Sequence, residues 1–393
     1  MRGVLWTLLF VIVAMGLAVT IVPRFLDRVY YRGAATTHFD GERFTNPDGG
    51  DPAGPPGGGS RAQFIWRQVT GDDGRPAWPG SVPVTPSKPP ARVEGEAMIA
   101  TWIGHASVLV QTAGLNILTD PMWSDTAGPF GFGPKRVAAP GVRFDDLPKI
   151  DVVLVSHNHY DHMDLATLKK LWERDRPVIV TSLGNDAILR GAGIEATALD
   201  WGQGLQMMSA CAAPGDCPTI DVTVTRNHHW GSRWFTDRNR ALWSSFVVRL
   251  PGGNLFFAGD TGLGDGQWPA EAAKLGPIRL ALIPIGAFRF VPGQMGTASH
   301  IGPVDAVEVF RRLGAARAIA IHWGTFRLSY EGYATPPRLL AAVARCAGLN
   351  GFAPVAVGVP TVIAPYAPPR PAARVPRAML LRCLDTPDVR ALR

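Results

Sequence analysis

Ser156-His157-Asn158-His159-Tyr160-Asp161-His162 gathers three imidazoles and a carboxylate into one short stretch. It follows Ile150-Asp151-Val152-Val153-Leu154-Val155, an apolar, β-branched run of the kind that forms a buried strand. It precedes Met163 to Trp172, whose apolar residues recur at helical spacing. The cluster therefore sits in the turn where a strand hands over to a helix, a place where functional groups are commonly mounted. Residues two apart in extended chain point the same way, so His157 and His159 can grip one metal ion. Asp161 and His162 come after the chain has begun to turn and can face a second. Zinc accepts both imidazole nitrogen and carboxylate oxygen.

Outward from this turn, strands are expected at Met98 to Trp102, Ser107 to Gln111, Leu115 to Pro121, Val178 to Val180, Val222 to Thr225, Trp243 to Leu250, Asn254 to Phe257, Leu280 to Ile285 and Ala318 to Ile321. Helices are expected at Asp186 to Gly191, Pro303 to Leu313 and Pro336 to Cys346. This order predicts an α/β domain of two sheets back to back with helices outside. Seven of the nine histidines fall at strand ends: His105, His157, His159, His162, His229, His300 and His322. His105, after a glycine, reads equally well as a packed core residue. His228 and His229 are neighbours, so only one of them can point inward.

The flanks differ in character. Val4 to Val22 is apolar and uncharged, which predicts a single-pass N-terminal membrane anchor, residues 1–32, with a cleaved signal peptide as the competitor. Arg24, Arg28 and Arg32 after it favour a cytoplasmic catalytic part. Residues 33–96, rich in Gly and Pro, read as a spacer in which His38 has no role, and the Pro- and Arg-rich residues 364–393 as a loosely ordered tail. The catalytic domain is placed at 97–363. A net charge of +7 suits anionic lipid or nucleic acid, but no long basic patch favours the latter. Four cysteines are too few for a disulfide scaffold; Cys211 and Cys217 flank a short loop that a bridge can close.

The central stretch resembles the HxHxDH signature of the metallo-β-lactamase fold. The resemblance is closer to one branch, the N-acylphosphatidylethanolamine-hydrolysing phospholipases D and their bacterial relatives. It is carried by Thr101-Trp102-Ile103-Gly104-His105-Ala106, Leu118-Thr119-Asp120-Pro121, Gly133-Pro134-Lys135-Arg136, Phe257-Ala258-Gly259-Asp260-Thr261-Gly262, Ile283-Pro284-Ile285-Gly286-Ala287 and Ile321-His322-Trp323-Gly324-Thr325-Phe326. It implies an αββα sandwich holding two zinc ions (Zn2+). His157, His159 and His229 would bind one; Asp161, His162 and His322 the other; and Asp260 would bridge them. His300 is implied as a substrate phosphate contact or proton donor, and Asp120 as a carboxylate orienting a liganding imidazole. Lys135 and Arg136 are candidates for a phosphate contact.

The activity implied is hydrolysis of a phosphodiester: cleavage of N-acylphosphatidylethanolamine, a membrane phospholipid, to N-acylethanolamine and phosphatidic acid. Two ions can clamp the phosphoryl group while activated water attacks it directly. The alternatives are a lactonase-like or nuclease hydrolase on the same site, a non-catalytic anchored lipid-binding protein, and a di-iron redox site. A homodimer is compatible with the sequence; a nucleic-acid partner is not expected.

Overall fold

The computed structural model describes residues 2–50, 75–208, 219–234, 236–291, 293–369 and 375–392. Beyond an N-terminal helix, α1 (Arg2–Leu26), the apolar runs pair into two seven-stranded sheets. In the first, β1 (Met98–Gly104), β2 (Ser107–Thr112) and β3 (Leu115–Thr119) form an antiparallel meander. β4 (Val152–Val155), β5 (Val178–Ser182) and β6 (Thr197–Leu199) extend it in parallel, and β14 (Pro360–Val362) closes the β1 edge. In the second, β7 (Gly204–Met208), β8 (Thr219–Thr225), β9 (Ser245–Arg249) and β10 (Asn254–Phe257) are antiparallel. β11 (Ile278–Pro284), β12 (Arg317–Ile321) and β13 (Phe352–Ala353) follow in parallel.

A parallel step needs a crossover, and helices supply most of them. α2 (Leu165–Asp175) joins β4 to β5, α3 (Asn185–Gly191) joins β5 to β6, and α4 (Trp268–Ala273) joins β10 to β11. α5 (Pro303–Leu313) and α6 (Thr335–Cys346) serve the last two steps. The strand pleat sorts side chains between layers. Val152 and Leu154 pack between the sheets with Val224, Phe257 and Leu282, while Val153 and Val155 pack outward under Leu168 and Leu171 of α2. The central strand is therefore covered on both faces, which is why its sequence is uninterruptedly apolar. Asp164 starts α2 by accepting from the backbone N–H groups of Ala166 and Thr167, so the helix begins directly behind the histidine turn.

Three expectations for the flanks change. First, among the described residues no helix is long and apolar enough to cross a membrane. The single-pass anchor is thus not supported, and the orientation argument falls with it. Second, the front of the expected spacer is packed: Phe39 and Phe44 are buried with Leu242 and Trp243. His38 there bonds Asp200 at 2.8 Å and stacks on Trp201. Third, the tail is docked. α7 (Arg377–Leu384) buries Leu380 and Leu384 in the cluster that holds Leu339 and Val343 of α6, and α8 (Pro387–Arg390) follows. Two leucines at i and i+4 suffice to seat so short a helix, and Cys346 is disulfide-bonded to Cys383 across it. The rear of the expected spacer, residues 51–74, and the Cys211–Cys217 loop lie outside the described residues.

The disulfide closes a 37-residue separation, for which chain entropy gives at most about 4 kcal/mol of stabilisation. Cys383→Ser is expected to lower the unfolding free energy by about 2–4 kcal/mol in denaturant titration; an unchanged midpoint would show that packing alone holds α7.

Candidate metal centre

The strand ends of both sheets meet above the inter-sheet core, and the histidine turn lies at the end of β4. Ser156, immediately before it, donates its backbone N–H to Asp120 Oδ1 at 2.7 Å and its Oγ–H to Asp120 Oδ2 at 2.5 Å. Asp120, at the end of β3, also accepts from His162 Nδ1 at 2.6 Å. One buried carboxylate therefore fixes both the start of the turn and the ring of its last histidine, leaving His162 Nε2 to face inward.

Ligand atoms then converge in two groups. His157 Nε2 lies 2.8 Å from His159 Nδ1, which lies 3.4 Å from His229 Nε2. In the second group, His162 Nε2 is 3.5 Å and His322 Nε2 3.6 Å from Asp161 Oδ2. Asp260 stands between them: its Oδ2 is 3.1 Å from His162 Nε2, 3.0 Å from His322 Nε2 and 3.9 Å from His229 Nε2. Donors about 2.0–2.1 Å from a tetrahedral zinc lie roughly 3.3–3.4 Å from one another, close to most of these separations. All seven side chains implied by the resemblance are thus brought together, and three of them with His105 form one candidate metal group.

The buried polar atoms test the fit. His162 Nε2, His322 Nε2 and Asp260 Oδ1 are buried with no hydrogen-bond partner. Such atoms are costly to leave unpaired, and a divalent cation is the partner their convergence fits. Electrostatics agree. Burial alone would raise the Asp260 carboxyl, but His162 and His322 outweigh it and hold it well below the usual range; Asp161 is lowered likewise, by His162 and His105. Burial pushes His159 down to about 4, leaving it neutral near pH 7. Burial opposes charge on His322 too, yet Asp260 and Asp161 raise it to about 9. The carboxylates thus demand positive charge beside them.

Backbone strain concentrates here. His105, Asp120, Ala287 and His322 have positive φ (54°, 29°, 57° and 62°), a region that non-glycine residues seldom adopt. Gly259, with φ +60°, approaches Ser156 so closely that a Cβ would lie 2.7 Å from that residue's Cβ; this turn aims Asp260 inward.

Other expectations resolve as follows. His229 faces the centre, its Nδ1–H donating to Ser299 O at 2.9 Å, while His228 turns away to Asp48. His300 borders the centre: its Nδ1 lies 3.7 Å from Asp260 Oδ2, and burial lowers the ring to about 4, so it is neutral near pH 7. The Arg136 guanidinium is engaged by the protein's own backbone. It donates to the carbonyls of Ser124 and Met122 and stacks on Phe326, tying residues 122–136 together. Lys135 is exposed. His105, left open by sequence, donates from Nε2 to Asp161 Oδ2 at 2.9 Å. Its position after Gly104 was the available signal; its partnership with Asp161 was not legible.

A family model described as a beta-lactamase superfamily domain matches residues 115–323, and the chain belongs to that superfamily as a hydrolase of the metallo-β-lactamase fold. Its homologues include the N-acyl-phosphatidylethanolamine-hydrolyzing phospholipase D 1 of Caenorhabditis elegans, 36% identical over 249 residues, which cover 61% of this chain and 68% of that protein. The mitochondrial enzyme of the same description from Saccharomyces cerevisiae is 32% identical over 253 residues, covering 64% and 52%. A metallo hydrolase from Ignicoccus hospitalis is similar in fold (TM-score 0.50, 19% identity, covering 68% of this chain and 98% of that one).

Asp120→Asn keeps the side-chain shape but removes the charge that accepts from His162. Zinc affinity, measured by chelator competition, is expected to fall roughly ten- to a hundredfold with the fold intact by circular dichroism; wild-type affinity would contradict this role.

Proposed function

We propose that the chain is a binuclear zinc phosphodiesterase of the phospholipase D type, cleaving N-acylphosphatidylethanolamine to N-acylethanolamine and phosphatidic acid. The observation that carries this reading is the pair of ligand groups joined by Asp260, in a chain 36% identical to a phospholipase of that specificity. His157, His159 and His229 would hold one ion, Asp161, His162 and His322 the other. When bound, such a pair supplies Lewis-acid charge for phosphoryl oxygens and makes water a nucleophile near neutral pH.

The chain's own residues do the rest. Asp120 and His105 keep His162 and Asp161 in place through charge-assisted hydrogen bonds. His300, neutral and without a bond at Nδ1, offers a ring to a phosphoryl oxygen at the edge of the centre. A cavity of about 360 Å³ beside Tyr160 has Phe130, Leu165 and Ile188 on its walls together with Arg28 and Arg233. Its apolar walls suit an acyl chain, while the Arg233 guanidinium is committed to the carbonyls of Asn158 and Met163.

Purified zinc-loaded protein is expected to release N-acylethanolamine from labelled N-acylphosphatidylethanolamine vesicles, and Asp161→Asn to lower the rate by about a thousandfold, as loss of several kcal/mol of metal-derived stabilisation requires. Zinc-bound protein with no turnover would discard this substrate and leave the hydrolase fold.

A further inference from the structure

The chain segment just after α1 touches the metal centre from behind. Phe39 and Phe44 pair as an isolated bridge and are buried against Leu242 and Trp243. Phe44 N–H donates to Asn239 O at 2.8 Å, and Arg43 donates to the carbonyls of Thr236 and Arg238. Arg240 reaches back to Asp27 and to Glu42 O. These contacts lash residues 39–44 to the loop between β8 and β9, the loop that carries His228 and His229.

Two further side chains reach the histidines themselves. Asn46 is buried; its Nδ2 donates to His229 O at 2.8 Å while its Oδ1 accepts from Trp243 Nε1 at 3.2 Å. Asp48 accepts from His228 Nδ1 at 2.9 Å and from Asp265 N–H at 2.7 Å. His229 is consequently held at both ends, its carbonyl by Asn46 and its ring by Ser299 O. Its neighbour is pinned outward by Asp48. Adjacent residues on an extended chain point oppositely, so fixing His228 outward fixes His229 inward.

We infer that residues 39–48 form a positioning strap, lying outside the family-matched residues 115–323, in which Asn46 and Asp48 set His229 rather than His228 as the imidazole presented to the metal. This rests on reading His157, His159 and His229 as a metal triad. Neither Asn46 nor Asp48 belongs to that triad; each acts through a neighbouring residue, as outer partners of metal ligands do.

The test uses the full-length chain and zinc ions alone, titrated against a chromophoric chelator, with cobalt absorption reporting ligand geometry. Asn46→Asp is nearly isosteric yet replaces the donor to His229 O by an acceptor. Asp48→Ala removes the anchor of His228, and Asp48→Asn retains an acceptor for it. Asn46→Asp and Asp48→Ala are each expected to weaken one zinc ion roughly ten- to a hundredfold and alter the cobalt spectrum, with Asp48→Asn restoring most of the affinity. Asn46→Asp sets a buried acceptor against His229 O and is expected to lower the unfolding midpoint of the metal-free protein as well, so the cobalt spectrum is the readout that separates positioning from stability. Wild-type zinc affinity in both variants, or a fall in metal-free stability with no spectral change, would overturn the strap's role alone. Wild-type protein that binds no zinc would overturn the metal triad, and the strap's role with it.

Discussion

Two carboxylates, Asp161 and Asp260, are packed against imidazoles from five histidines at the end of a β-sandwich, and the surrounding structure is arranged to hold them there. Charge buried in this way has to be neutralised or it destabilises the fold. Protons on His162 and His322 can supply part of that charge; divalent ions supply more and satisfy the unpaired nitrogens as well. The residue set is thus one that a divalent cation can satisfy.

Supporting contacts follow from the same constraint. A ligand is useful only if its ring or carboxylate is fixed to within a fraction of an ångström. Asp120 fixes His162, His105 fixes Asp161, Ser299 O fixes the ring of His229, and Asn46 holds that residue's backbone. These partners come from β3, from the β1–β2 turn, from the loop before α5 and from the N-terminal segment. The two sheets supply the rigid edges on which loops so distant in sequence can meet, and positive φ at His105, Asp120 and His322 records the local cost of aiming them.

Legibility in the sequence tracked locality. The turn at 156–162 could be read directly because its ligands are neighbours between a buried strand and an amphipathic helix. The sandwich followed from the order of apolar runs and helices. His322 is marked by its place at a strand end, but only the resemblance ties it, and Asp260, to that turn, since nothing in their spacing does. The choice of His229 over His228 rests on the resemblance alone; Asp48, which holds His228 outward, lies 180 residues away. Leu380, Leu384 and the Cys346–Cys383 bond likewise give a Pro- and Arg-rich tail a fixed place that its weak periodicity does not announce. The apolar N-terminal stretch is the opposite case: its hydropathy predicts a span, and no helix among the described residues is long and apolar enough to provide one.

Anomalous diffraction at the zinc absorption edge, on crystals of the metal-loaded full-length protein, tests the account most directly. Two peaks are predicted, one among His157, His159 and His229, the other among Asp161, His162 and His322, with Asp260 touching both. A single peak, or an ion that takes His228 in place of His229, would contradict it.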